Sequence, residues 1–236
     1  MHLIADRAGF LICCYLMDRR GLDIEETLAV FNKLAGPEAD PTKDMFRKAL
    51  RKRVHGGRLI WVKCEMTGLE VDKDALLEVA VVVTEGGTLE TVAATESIAI
   101  STPKDILDKM DPWCVKQHGV SGLTKACLES QISLEVAEDM VMKVVESVTE
   151  KGESPLAGNT VSFDRSFLEK HMPRLASHLH YRNVDVSTGT VKELARRWYS
   201  DEYRQAPKKT GGHRALGDIE DSIEELKYYR RTVFRQ

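Results

Sequence analysis

Residues Trp61–Glu70 read "WVKCEMTGLE", and the fold turns on how that stretch is read. It closes "RLIWVKCE", an apolar, β-branched and aromatic run of strand length. Successive strand residues point to opposite faces, so Lys63 and Glu65 share one face while Cys64 points to the other. Two carboxylates at that spacing would form one edge of a divalent-cation site. Only Glu65 is acidic here, and Lys63 holds the other place.

On the C-terminal side, "ALLEVAVVVTEGG" and "TLETVAATESIAIS" read as a second and a third strand, which makes a meander. From Pro103 the period becomes helical. "PKDILDKM" is a short helix, "SLEVAEDMVMKVVESVTEKG" sets Val136, Met140, Val144, Val145 and Val148 on one face, and "DRSFLEKHMPRLASHLH" reads as a further helix. "PLAGN" and "YRNVDVS", on either side of it, read as strands. In "TVKELARRWY", Thr190 and Glu193 have capping-box spacing, which starts a helix at Thr190. The last helix, "GDIEDSIEELKYYRRTVF", turns Ile219, Ile223, Leu226 and Tyr229 inward. Strands first, then helices wrapped around strands, predict an α/β layered domain with a mixed central sheet.

On the N-terminal side, residues 9–35 read as helices stopped by Gly36-Pro37. "PTKDMFRKALRKRVHGG" reads as another, with Met45, Phe46, Leu50 and Val54 as its apolar positions. Gly56-Gly57 marks a linker, giving a helical segment 1–57 and a main domain 58–236. A chain of 236 residues with 42% hydrophobic composition buries a full core. Its net charge of -3 excludes a uniformly basic nucleic-acid coat and leaves room for a local basic groove. The five cysteines, odd in number and without CxxC or Cys/His spacing, argue against a disulfide framework and a zinc site. A reducing, intracellular compartment is expected. "GFLICCYLM" is too short to span a bilayer and lacks a basic segment before it, so neither a membrane anchor nor a signal peptide is expected.

Three further residues complete a chemical pattern. Asp164 lies in "GNTVSFDRSFL" at a strand-to-helix passage, and Asp218 opens the last helix in "HRALGDIEDSIEEL". His213 stands five residues before Asp218, behind "TGG". Each alone has an ordinary reading: an aspartate in a first helical turn is a favourable charge near the helix dipole, and a lone loop histidine is a surface residue. Their order along the chain with Glu65 is what points to hydrolytic chemistry.

From about residue 58 to 234 the sequence resembles oligoribonuclease, the 3′ to 5′ exoribonuclease of the DEDDh family. The matching stretches are "EMTGLE", "WCVKQHGVSGLTKA", "PLAGNTVSFDRSFL", "LHYRNVDVST", "VKELARRWY", "APKK" and "HRALGDIEDSIEELKYYR". The resemblance implies an RNase H-like exonuclease fold, a homodimer, and short single-stranded RNA as substrate. It also implies four carboxylates holding two Mg²⁺ or Mn²⁺ ions about 4 Å apart, hard cations suited to oxygen ligands. Glu65, Asp164 and Asp218 fall on the second, third and fourth acidic positions, and His213 on the base that takes the proton of the attacking water. The first acidic position falls on Lys63, which removes a ligand from each ion and reverses a charge. Two like charges ~4 Å apart cost about 4 kcal/mol at an effective dielectric of 20, nearly a thousandfold in occupancy. The expectation is an exoribonuclease with impaired two-metal hydrolysis; the alternative is a catalytically inactive RNA-binding relative in which Lys63 pairs with the remaining carboxylates.

By the same resemblance, Leu69 wedges against a base, Trp113 and His118 line the pocket, and Tyr181 of the partner subunit stacks on the 5′ base. Thr160, Arg182 and Ser187 would cap the 5′ phosphate. Two departures touch this cap: Thr160 stands where the family has serine, and "DVSTGTVKEL" carries two extra residues at about Thr188-Gly189.

Residues 6–40, "DRAGFLICCYLMDRRGLDIEETLAVFNKLAGPEAD", resemble the helices after the active-site loop of cysteine-dependent phosphatases, nearest to the RNA triphosphatase domain of mRNA capping enzyme. Such loops pair a thiolate nucleophile with an arginine. Counting back from Arg7, Met1 takes the nucleophile's place and Ala8 the hydroxyl position, so no phosphatase activity is expected.

Overall fold

The computed structural model describes residues 57–187, 189–209 and 212–234, together with Glu26, Thr27, Ala29 and Val30, which are helical. The chain divides into two units, Met1–Gly57 and Arg58–Gln236. The remaining helical expectations before residue 57, and the phosphatase-like segment with them, lie outside the described residues.

In the second unit the strands are β1 (Arg58–Met66), β2 (Leu76–Glu85), β3 (Thr91–Ala94), β4 (Ile98–Ala99), β5 (Pro155–Gly158) and β6 (His180–Asp185). The sheet runs in the order β3-β2-β1-β5-β6, with β4 pairing β2 beyond that path. β1 pairs antiparallel with β2 and parallel with β5, and β5 pairs parallel with β6. β1 therefore sits where the sheet changes direction. In open α/β sheets the crevice beyond the carboxyl ends of strands at such a point is where ligands bind.

The helices are α1 (Lys104–Leu107), α2 (Pro112–Val120), α3 (Leu123–Glu129), α4 (Leu134–Val148), α5 (Val161–His171), α6 (Pro173–His178), α7 (Val191–Trp198), α8 (Ser200–Gln205) and α9 (Ala215–Thr232). They cover both faces of the sheet. Ile60, Val62 and Cys64 of β1 pack with Val141 and Val145 of α4 and with Phe167 and Leu168 of α5. Trp61 faces the other way, in a second cluster with Ile219, Ile223 and Tyr229 of α9. Each fully buried large side chain contributes about 1.5–3 kcal/mol, and the Trp61 indole N–H is satisfied by Thr84 Oγ1 at 2.9 Å. No helix among the described residues is long and apolar enough to cross a membrane.

Four expectations about elements are corrected. "TLETVAATESIAIS" forms two strands, β3 and β4, both on β2. "DRSFLEKHMPRLASHLH" forms two helices, because Pro173 has no N–H to continue the first and instead opens the second. On α4 the buried stripe is Ala137, Glu138, Val141, Met142 and Val145, whereas Val136 and Met140 are 47% and 42% exposed. The capping box is not made. Thr190 is the N-cap of α7 but makes no side-chain cap bond, and the Glu193 carboxylate pairs with Arg196 and Arg197.

Candidate active site

β1, the central strand, presents Lys63 and Glu65 from one face near its C-terminal end, as the strand period requires. Lys63 Nζ donates to the Cys64 carbonyl at 2.8 Å and lies 3.8 Å from Glu65 Oε1 and 3.9 Å from Asp164 Oδ1. The lysine side chain is 27% exposed, against 12% and 4% for its two carboxylate partners.

Asp164 sits in the first turn of α5. The chain reaches that helix through Gly158, whose added Cβ would lie 3.0 Å from Val161 Cγ1 and 3.4 Å from the Val62 carbonyl at φ +152°. Only glycine suits that close passage. Asp164 Oδ1 also accepts the Cys64 backbone N–H at 2.8 Å, so one oxygen is shared between a backbone donor and the ammonium.

The charges perturb one another. Burial lifts the Glu65 carboxyl to about 7; Lys63 pulls against that lift, and Asp218 and Glu78 add to it. Burial also raises Asp164, opposed by Lys63 and by the Cys64 hydrogen bond. For Lys63, burial works against the charge, but Asp164 and then Glu65 outweigh it and leave the ammonium above its ordinary value. Lys63 therefore stays protonated at neutral pH.

Asp218 lies in the first turn of α9, and His213 just precedes that helix in a left-handed conformation at φ 45°. The His213 ring meets Trp113 edge-on at 6.1 Å between centroids. Two adjoining cavities open here, of about 370 and 300 Å³. Lys63, Met66, Leu69 and Asp218 line both. Asp164 and Thr160 line the larger, while Glu65, Trp113, His118 and His213 line the smaller. Leu69 and Trp113 are exposed, and Leu69 rides on a loop tied by Asp74, which accepts from Thr67 Oγ1 and from the Glu70 N–H at 2.8 Å each.

His118 is buried, its Nε2 bonded to the Met66 carbonyl at 2.9 Å, and burial lowers its pKa. Tyr181, Arg182 and Ser187 do not line either cavity. Tyr181 is exposed, with the Arg182 guanidinium 5.3 Å from its ring centre. Ser187 is buried, and its hydroxyl accepts the Gly189 N–H at 3.1 Å. The larger cavity adds Asn159, Phe163 and Lys209, which sequence reasoning did not single out. Each falls in a matching stretch, Asn159 and Phe163 in "PLAGNTVSFDRSFL" and Lys209 in "APKK", the signal by which they could have been found.

Among the described residues, no group of three or more His, Cys, Asp or Glu side chains is disposed to hold a metal ion. The Lys63 ammonium lies within 4 Å of the carboxylates of both Glu65 and Asp164, and a cation there would meet a fixed positive charge. The residues present do not fit a two-ion centre.

An exonuclease family model matches residues 60–226. In solved structures the fold recurs in E. coli exonuclease I in complex with a 5cy-dA13 oligonucleotide, with a TM-score of 0.55 at 14% identity over 74% of this chain. The chain spans 40% of that protein's length, so the likeness speaks for the fold alone. The class is therefore an exonuclease of the RNase H-like fold. Among curated proteins, the Dictyostelium discoideum probable oligoribonuclease is 52% identical over 75% of this chain and 91% of its own length. The mouse mitochondrial oligoribonuclease is 48% identical over 76% and 74%, and the Marinobacter nauticus oligoribonuclease 47% identical over 77% and 98%. The chain belongs to the oligoribonuclease family and is a hydrolase of the exoribonuclease class.

Proposed function

We propose that the chain is a 3′ to 5′ exoribonuclease of short single-stranded RNA whose divalent-ion hydrolysis is impaired by Lys63. The observation that carries this reading is the Lys63 ammonium lodged 3.8 Å from Glu65 and 3.9 Å from Asp164. In this reading Glu65, Asp164 and Asp218 are the acidic residues left that would hold a Mg²⁺ or Mn²⁺ ion, against the opposing charge of Lys63. His213 is the base that accepts a proton from water. Leu69 and Trp113, both exposed beside the cavities, meet bases by stacking and wedging, contacts indifferent to sequence, while His118 supports the pocket wall. Thr160, Arg182 and Ser187 serve the 5′ phosphate, and Tyr181 comes from the second copy of a homodimer.

The same ammonium favours a second reading, a pseudo-exonuclease that binds short RNA without cutting it. Incubating the unaltered chain and its Lys63→Asp variant with a 5′-labelled diribonucleotide and Mn²⁺ separates the two. The proposal expects slow cleavage by the unaltered chain and a large gain in the variant. No cleavage by the unaltered chain with full cleavage by the variant supports the pseudo-exonuclease, and no cleavage by either overturns the exonuclease reading.

A further inference from the structure

Glu78 is fully buried on β2, directly opposite Glu65 in the antiparallel register. A buried carboxylate is tolerated only when its oxygens are satisfied, and both are. Oε1 accepts from Arg214 Nε at 2.8 Å and from Arg214 Nη2 at 2.6 Å, while Oε2 accepts the Ala215 N–H at 2.8 Å. Arg214 is the N-cap of α9 and supplies no cap bond of its own. Glu78 thus provides, from another strand, the acceptor that the first turn of α9 needs, at the end where negative charge is favoured.

Both proposed reacting groups of this segment flank that anchor. His213 directly precedes Arg214 in a left-handed conformation, a strained state that persists only where the surroundings enforce it. Asp218 follows in the same turn, its N–H donating to the Arg214 carbonyl at 3.0 Å. Neither Glu78 nor Arg214 lines either cavity, so both act through their neighbours.

We infer that Glu78 and Arg214 are positioning residues that fix His213 and Asp218 against the β1 edge of the site. The inference rests on the role proposed above for His213. One carboxylate ties β2, which carries the partner of Glu65, to the start of the helix that carries the fourth acidic position. It sets the distance between the two halves of the site.

Histidine ¹H–¹³C spectra of the full-length chain test this without turnover. The His213 signal, identified by its loss in His213→Gln, carries the ring-current displacement of the Trp113 edge contact. Two variants remove the anchor. Glu78→Gln leaves an arginine whose side chain is 38% exposed and has solvent within reach; Glu78→Gln/Arg214→Gln replaces the ion pair with two amides able to bond each other. In both folded variants the His213 signal is expected to lose its displacement, while the His178 signal stays in place. Arg214→Lys keeps the charge without the planar fork and is expected to move the signal part-way. An unmoved His213 signal in the folded double variant overturns the inference.

A second readout joins this to the reaction. In the Lys63→Asp chain with Mn²⁺ and a diribonucleotide, adding Glu78→Gln is expected to lower kcat about 10- to 100-fold, the scale of a small misplacement of reacting groups. KM is expected to change less than about threefold. A raised KM with kcat intact overturns the inference. An inactive Lys63→Asp chain would instead defeat the proposed function, leaving the His213 signal to decide the positioning claim.

Discussion

Replacing Lys63 with aspartate is expected to make the folded chain depend on divalent cations. The ammonium lies 3.8 and 3.9 Å from two carboxylate oxygens, and each separation corresponds to about 4 kcal/mol of attraction at an effective dielectric of 20. Desolvation cancels much of that sum, and removing one partner of a buried pair costs about 3–5 kcal/mol. The 27% exposure of Lys63 lowers the loss to roughly 2–4 kcal/mol through solvent screening. The new carboxylate then repels Glu65 and Asp164 at similar range, which brings the total back to about 3–5 kcal/mol in EDTA. At about 2–4 °C per kcal/mol for a domain of this size, Tm falls by roughly 6–20 °C. Mn²⁺ at about a thousandfold above its Kd would restore about 4 kcal/mol by mass action, while the unaltered chain, binding about a thousandfold more weakly, gains only about 0.4 kcal/mol. Thermal melts followed by circular dichroism at pH 7.5, in EDTA and then in Mn²⁺, read both quantities. A variant melting within about 2 °C of the parent in EDTA would refute the reasoning, since it would mean the ammonium stabilises nothing.

Two other expectations follow from single residues. Trp113 is 62% exposed, so Trp113→Ala leaves Tm nearly unchanged but weakens binding of a short RNA by about 5- to 150-fold, the range for one lost base stack of about 1–3 kcal/mol; fluorescence anisotropy with unchanged affinity would remove Trp113 from the base site. His178 is buried, bonded to Thr149 Oγ1 at 2.9 Å, and burial holds its pKa below the ordinary 6.5 although Glu146 and Glu150 push it up. The unfolded chain therefore takes up that proton at higher pH than the folded one. The resulting stability is present above about 6.5 and is lost as pH falls below it. His178→Gln should flatten the fall in Tm between about pH 6.5 and pH 5, and an unchanged slope would show that His178 does not carry it.

The parts of the fold that could be read from the sequence were those fixed by local periodicity. "RLIWVKCE" and "ALLEVAVVVTEGG" announce β1 and β2 because β-branched runs bounded by turn residues have few other uses. The misread face of α4 has a physical cause. Large side chains do not mark the stripe, which opens on the small Ala137, and its one buried acid, Glu138, accepts the Arg174 and Leu175 N–H groups that open α6. The Glu193 error is similar: local spacing matched a cap, but two arginines one turn on compete for the carboxylate. At the site, Glu65, Asp164, Asp218 and His213 were nameable only jointly, through their order. The Glu78–Arg214 anchor joins residues 136 positions apart, and no local pattern marks such a pair. Where Lys63 points was equally out of reach, since a lysine at a strand end snorkels to solvent as readily as it turns inward.

Direct measurement of divalent-ion binding tests the central claim, that Lys63 takes the place of a metal. Titrating Mn²⁺ into the full-length chain and into Lys63→Asp at pH 7.5, with free Mn²⁺ read by electron paramagnetic resonance, counts ions and affinities together. The account predicts two ions per chain for Lys63→Asp and binding weaker by about a thousandfold for the unaltered chain, the factor set by the charge conflict. Two Mn²⁺ ions bound by the unaltered chain with the affinity of the variant would contradict it.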